Sequence, residues 1–127
     1  MNREEFISEL NKRPAYFDIN HKRYAHILGM SIVTDGKEKK LQISQEECAE
    51  LIQAISKNLR GISKDNADIL EELADVKICI DMIATVCKIT PSDLQRAIDV
   101  KIERERKRLN SLGITDEEIG IDKTEGE

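Results

Sequence analysis

Two stretches decide the fold: LQISQEECAELIQAISKNLRG, residues 41–61, and DILEELADVKICIDMIATVCK, residues 68–88. In the first, Leu41, Cys48, Leu51, Ile52, Ile55 and Leu59 recur at helical spacing, which predicts a helix over about 39–59. In the second, the stripe is Ile69, Leu70, Leu73, Val76, Ile80, Ile83, Ala84 and Cys87, predicting a helix over about 66–88. Gly61 is placed to be the left-handed residue that ends the first helix. Asp65 suits the N-cap of the second, and Asp68 suits its positive first turn. The connection at 62–65 is short, so the two helices should pack as an antiparallel pair.

Outward from this pair, Thr90-Pro91-Ser92-Asp93 is a helix start, with Thr90 as cap and Pro91 at the first helical position. The helix that follows carries Leu94, Ile98, Ile102 and Leu109 and stops near Gly113. Upstream, residues 3–10 and 18–30 read as shorter helices interrupted at Pro14, and Thr34-Asp35-Gly36 reads as a turn. The aromatics Phe6, Tyr16, Phe17 and Tyr24 all fall here and are expected to pack on the main bundle. The expected organisation is an N-terminal helical extension over 1–36, a helical core over 37–113 and an acidic, disordered tail over 114–127. The fold class is all-α: an antiparallel helix pair plus a long C-terminal helix, the bundle being completed by dimerisation.

Composition limits the function. Apolar residues make up 39% and charged residues 35% of the 127, the balance of a helical domain with a solvated surface. No apolar run approaches the roughly 20 residues that span a bilayer. Residues 1–10 lack the basic-then-apolar order of a secretion signal, so a cytoplasmic location is expected. The net charge of −5 argues against a general nucleic-acid partner. Cys48, Cys79 and Cys87 form no CxxC pair and are expected to be small buried hydrophobes.

The chemistry lies in an acidic motif used twice. Glu46-Glu47-Cys48-Ala49-Glu50-Leu51 and Glu71-Glu72-Leu73-Ala74-Asp75-Val76 share the form Glu-Glu-x-Ala-acid-aliphatic. Positions three apart lie about 60° from each other on a helix, so Glu47 projects with Glu50, and Glu72 with Asp75. Each acidic pair borders its own apolar stripe on the same side. Packing the helices together would therefore bring four carboxylates to the edge of a shared core. Such groups repel one another and resist desolvation, and a divalent cation offsets both costs. All-oxygen ligands suit Mg²⁺ or Mn²⁺. The competing reading is a solvated acidic face, with Ser44 to Glu47 as a capping box if the helix began at Ser44.

With these motifs, Glu47-x-x-Glu50 and Glu72-x-x-Asp75, the chain resembles the MazG-like, all-α nucleoside triphosphate pyrophosphohydrolase superfamily over about residues 41–109. The resemblance implies that Glu47, Glu50, Glu72 and Asp75 bind Mg²⁺, with Mn²⁺ as a substitute. It implies hydrolysis of a nucleoside triphosphate, first of all a dNTP, between the α- and β-phosphates to a nucleoside monophosphate and pyrophosphate. Lys101 and Arg104 match a Lys-x-x-Arg pattern that contacts phosphates in many members, although Asp99 stands where many of them have Asn. Lys57 is a further phosphate candidate. Glu46 and Glu47 are candidates for orienting or deprotonating the water. A homodimer or dimer of dimers is expected, as in the resembling family. A di-iron carboxylate bundle would need Glu-x-x-His motifs, which His21 and His26 do not supply. The alternative to an enzyme is a helical interaction module whose acids only solubilise it.

Overall fold

A computed structural model describes residues 2–13, 22–63 and 65–121. It is all-helical among those residues: α1 Arg3–Asn11, α2 Lys22–Asp35, α3 Lys37–Leu59, α4 Ala67–Val86, α5 Pro91–Ser111 and α6 Asp116–Ile119. Tyr16, Phe17 and His21 lie outside the described residues. The chain divides into two compact units, Met1–Lys88 and Ile89–Glu127, a boundary that falls inside the segment 37–113 read from the sequence as one core. No described helix is long and apolar enough to cross a membrane.

In the first unit, α3 and α4 make the principal contact, α2 packs on both, and α1 packs on α4. Residues that meet across the α3–α4 seam rise along one helix as they fall along the other. Ser44 lies beside Cys79, Glu47 meets Asp75, and Glu50 meets Glu72. The pair is therefore antiparallel, as expected. The turn between them is a Schellman ending: Ile62 N–H donates to the Lys57 carbonyl at 3.0 Å and Gly61 N–H to that of Asn58 at 3.0 Å, with Gly61 at φ +71°. Asp65 Oδ1 accepts from the Ala67 N–H at 2.9 Å, although the residue in the cap position is Asn66.

Two helix boundaries differ from the sequence reading. α2 continues through Thr34 and Asp35, and Gly36 alone, at φ +91°, separates it from α3. The Thr34 hydroxyl donates to the Met30 carbonyl within the helix rather than closing a turn. The joint is held by an ion pair between Lys40 Nζ and Asp35 Oδ2 at 2.6 Å, with Lys40 buried. α3 thus begins at Lys37. Ser44 is interior to it and donates its hydroxyl to the Lys40 carbonyl at 2.8 Å, so the capping-box reading of Ser44 and Glu47 does not hold.

The buried seam is also rotated from the apolar stripe. On α3 the buried positions are Lys40, Ser44 and Ala54, with Glu47 and Leu51 half-buried; on α4 the buried position is Cys79, with Ile69, Glu72, Asp75, Val76 and Ile83 half-buried. At roughly 100° per residue these positions lie within about 60° of Glu47 or Glu72. Glu47, Glu72 and Asp75 are therefore in the seam, and Glu50 is exposed at its edge. Small side chains at Ser44, Ala54 and Cys79 let the helices approach there. Cys48, Ile52, Ile55 and Leu59, with Leu70, Leu73 and Ile80, are exposed in the single chain. The cysteine reading holds for Cys79, which is buried, and not for Cys48 and Cys87, which are exposed.

In the second unit, Thr90 caps α5 by accepting from the Asp93 N–H at 3.1 Å, with Pro91 in the first turn, as the sequence predicts. Beyond Gly113, where a frayed tail is expected, the chain forms α6. Thr115 and Glu118 make a capping box, and Gly120 ends the turn in the left-handed region. Arg106 holds it through Asp116, with Nη2–Oδ2 at 2.6 Å and Nε–Oδ1 at 3.0 Å. Arg106 is half-buried.

Candidate metal centre

The antiparallel packing explains how one motif, used twice, makes one site. Two antiparallel helices are related by a local two-fold axis between them. A residue set at the same phase on both is thereby brought to that axis from both sides. Glu47, Glu50, Glu72 and Asp75 line one cleft of about 520 Å³ together with Arg3 and Glu71. One carboxylate oxygen from each of Glu47, Glu50 and Glu72 lies within 4.8 Å of the others. Asp75 lies at hydrogen-bonding reach of Glu47.

The electrostatics are those of an uncompensated cluster. Burial pushes the Glu47 carboxyl up to about 7, reinforced by the charges of Asp75, Glu50 and Glu72. Burial also raises Glu72, with Glu50 and Asp75 adding repulsion. It raises Asp75 too, against the opposing hydrogen bond to Glu47 and the charge of Arg3. Glu47 Oε2 and Glu72 Oε2 are buried without a hydrogen-bond partner among the described residues. Unpartnered buried carboxylate oxygens are costly. Here the two belong to residues that line the cleft shared by the four acids. Hard oxygen donors, partial burial and mutual repulsion together fit a small divalent cation such as Mg²⁺ or Mn²⁺.

A second cleft of about 270 Å³ adjoins the first through Arg3, Glu50 and Glu72, and adds Gln53, Ala54, Lys57 and Asp68. Lys57, two turns along α3 from Glu50, thus shares a cleft with Glu50 and Glu72. Glu46 is exposed, about 100° round the helix from Glu47, and does not line the acidic cleft. Lys101 and Arg104 are exposed on one face of α5, in the second unit.

The residue missed from the sequence is Arg3. Its Nη1 pairs with Glu71 Oε2 at 2.9 Å and donates to the Ala67 carbonyl, and its side chain lines both clefts. Nothing in the local text of residues 1–10 marks it, because its role depends on α1 docking against α4. No protein-family model, curated protein or solved structure matches the chain.

Proposed function

We propose that the chain is a Mg²⁺-dependent nucleoside triphosphate pyrophosphohydrolase, with dNTPs as the first substrates to try. The observation that carries this reading is the pair of buried, unpartnered oxygens of Glu47 and Glu72 within a four-carboxylate cleft. A solvated acidic face would not bury them. Glu47, Glu50, Glu72 and Asp75 would hold the ion, with Mn²⁺ as a substitute. When bound, Mg²⁺ neutralises phosphate oxygens and acidifies a coordinated water.

The chain's own residues have distinct parts. The seam fixes Glu47 and Glu72 so that their carboxylates converge without rearrangement. Lys57 offers a positive charge in the second cleft, which shares Arg3, Glu50 and Glu72 with the first. Glu47, with its carboxyl held near neutrality in the ion-free protein, and Glu46 are the proton-handling candidates. Hydrolysis joins the water oxygen to the α-phosphorus and breaks the bond to the α–β bridging oxygen, which leaves on pyrophosphate. Lys101 and Arg104 are further phosphate ligands in this reading. The exposed apolar face of α3 and α4 supports a homodimer or dimer of dimers.

The test is release of pyrophosphate from a panel of ribo- and deoxynucleoside triphosphates. Mg²⁺-dependent release is expected from at least one, and Glu50→Gln or Asp75→Asn should lower it at least a hundredfold. Silence across the panel with both Mg²⁺ and Mn²⁺ would return the chain to the alternative of a non-enzymatic interaction module.

A further inference from the structure

The N-terminal helix brings one cation to the rim of the acidic cleft. Arg3 is anchored through a single amino group: Nη1 is committed to Glu71 and the Ala67 carbonyl. Among the described residues, the other edge of the guanidinium, Nε with Nη2, makes no hydrogen bond. That edge is a planar two-donor fork, the shape that binds a phosphate or carboxylate in a bidentate manner. Its position is as informative as its valence. Arg3 lines both the acidic cleft and the cleft that contains Lys57, and its side chain is 38% exposed. An anion in the second cleft would have both Arg3 and Lys57 in its lining, next to Glu50 and Glu72. A guanidinium tied down at one end also loses less freedom on binding than a free surface arginine.

We propose that Arg3 is a substrate-binding residue whose Nε–Nη2 edge receives phosphoryl oxygens of a ligand seated across the two clefts, making α1 part of the site rather than an appendage. This assignment rests on the reading of the acids as a cation site for a phosphorylated substrate. It accounts for an α1–α4 attachment made by a charged side chain at the cleft rim. Arg3 also tempers the acids, since its charge opposes the upward shifts of Glu72 and Asp75.

The experiment is calorimetric titration of the full chain with Mn²⁺ alone and with inorganic tripolyphosphate at saturating Mn²⁺, a probe that needs no knowledge of the base. Arg3→Gln should weaken tripolyphosphate at least tenfold. It should leave Mn²⁺ affinity unchanged or tighter, because a cation has left the neighbourhood of the acids. Arg3→Lys keeps a charge for Glu71 but lacks the fork, and should still lose severalfold in tripolyphosphate affinity. A purely structural arginine would move both affinities down together in Arg3→Gln and be rescued by lysine, which overturns the assignment. Unchanged tripolyphosphate binding in Arg3→Gln overturns it too, while the wild type's Mn²⁺ binding leaves the cation site standing. If the wild type binds neither probe, the assignment and the reading beneath it both fall.

Discussion

Removing the charge of Glu47 should stabilise the ion-free protein at alkaline pH. Lifting its carboxyl from 4.5 to about 7 means that the folded state holds the proton more tightly than the unfolded state. The associated stability is fully present below pH 4.5 and is lost as pH rises through about 7. At about 1.4 kcal/mol per pH unit the difference is roughly 3 kcal/mol. Water reaching this half-buried group screens about half of it, leaving roughly 1.5 kcal/mol. For a unit of this size 1 kcal/mol corresponds to about 4–8 °C in Tm, so the effect is about 6–12 °C. The assay is thermal unfolding in EDTA from pH 4.5 to 8.5. Wild type should lose stability across that range, and Glu47→Gln should lose less and unfold higher at pH 8. Saturating Mg²⁺ at pH 8 should raise the wild-type Tm and do little for the variant. A Glu47→Gln protein less stable than wild type in EDTA at pH 8 would refute the view that the cluster is uncompensated.

Two further outcomes follow from the seam and from the face it leaves open. Ala54 is buried on α3, the helix that packs against α4, so Ala54→Leu should cost about 1–3 kcal/mol, lower the Tm accordingly and spread Glu50 from Glu72; an unchanged Tm would contradict that packing. Ile52 is 68% exposed on the apolar face, and its burial between two copies would contribute about 1.5–3 kcal/mol. Ile52→Asp should therefore shift sedimentation from dimer toward monomer at micromolar concentration, and a wild type that is already monomeric would remove the dimer from the account.

Much of the fold is legible in the residues because its signals are local. The helix periods, Gly61 as a left-handed terminator and Thr90-Pro91 as a start depend on a few neighbouring positions, and all hold in the structure. The rotation of the seam was not legible. A hydrophobicity stripe marks where apolar groups lie, but small residues decide how closely helices approach. Ser44, Ala54 and Cys79 therefore set the contact, while Ile52 and Leu59 are left outside it. α6 was hidden for a different reason. Its four residues are too few for periodicity, and it is held by Arg106, ten positions away from Asp116. At the site, the equal spacing of the two acidic motifs foretold their convergence. Arg3 could not be foretold, because no spacing rule links residue 3 to Glu71.

The most direct test follows the oxygen. Hydrolysis of a nucleoside triphosphate in H₂¹⁸O, read by ³¹P NMR and mass spectrometry, locates the attacked phosphorus. The account predicts one equivalent each of nucleoside monophosphate and pyrophosphate, with ¹⁸O in the monophosphate. It also predicts dependence on Mg²⁺ and loss in Asp75→Asn. Products of nucleoside diphosphate and inorganic phosphate, label in the pyrophosphate, or turnover that survives both EDTA and Asp75→Asn would contradict it.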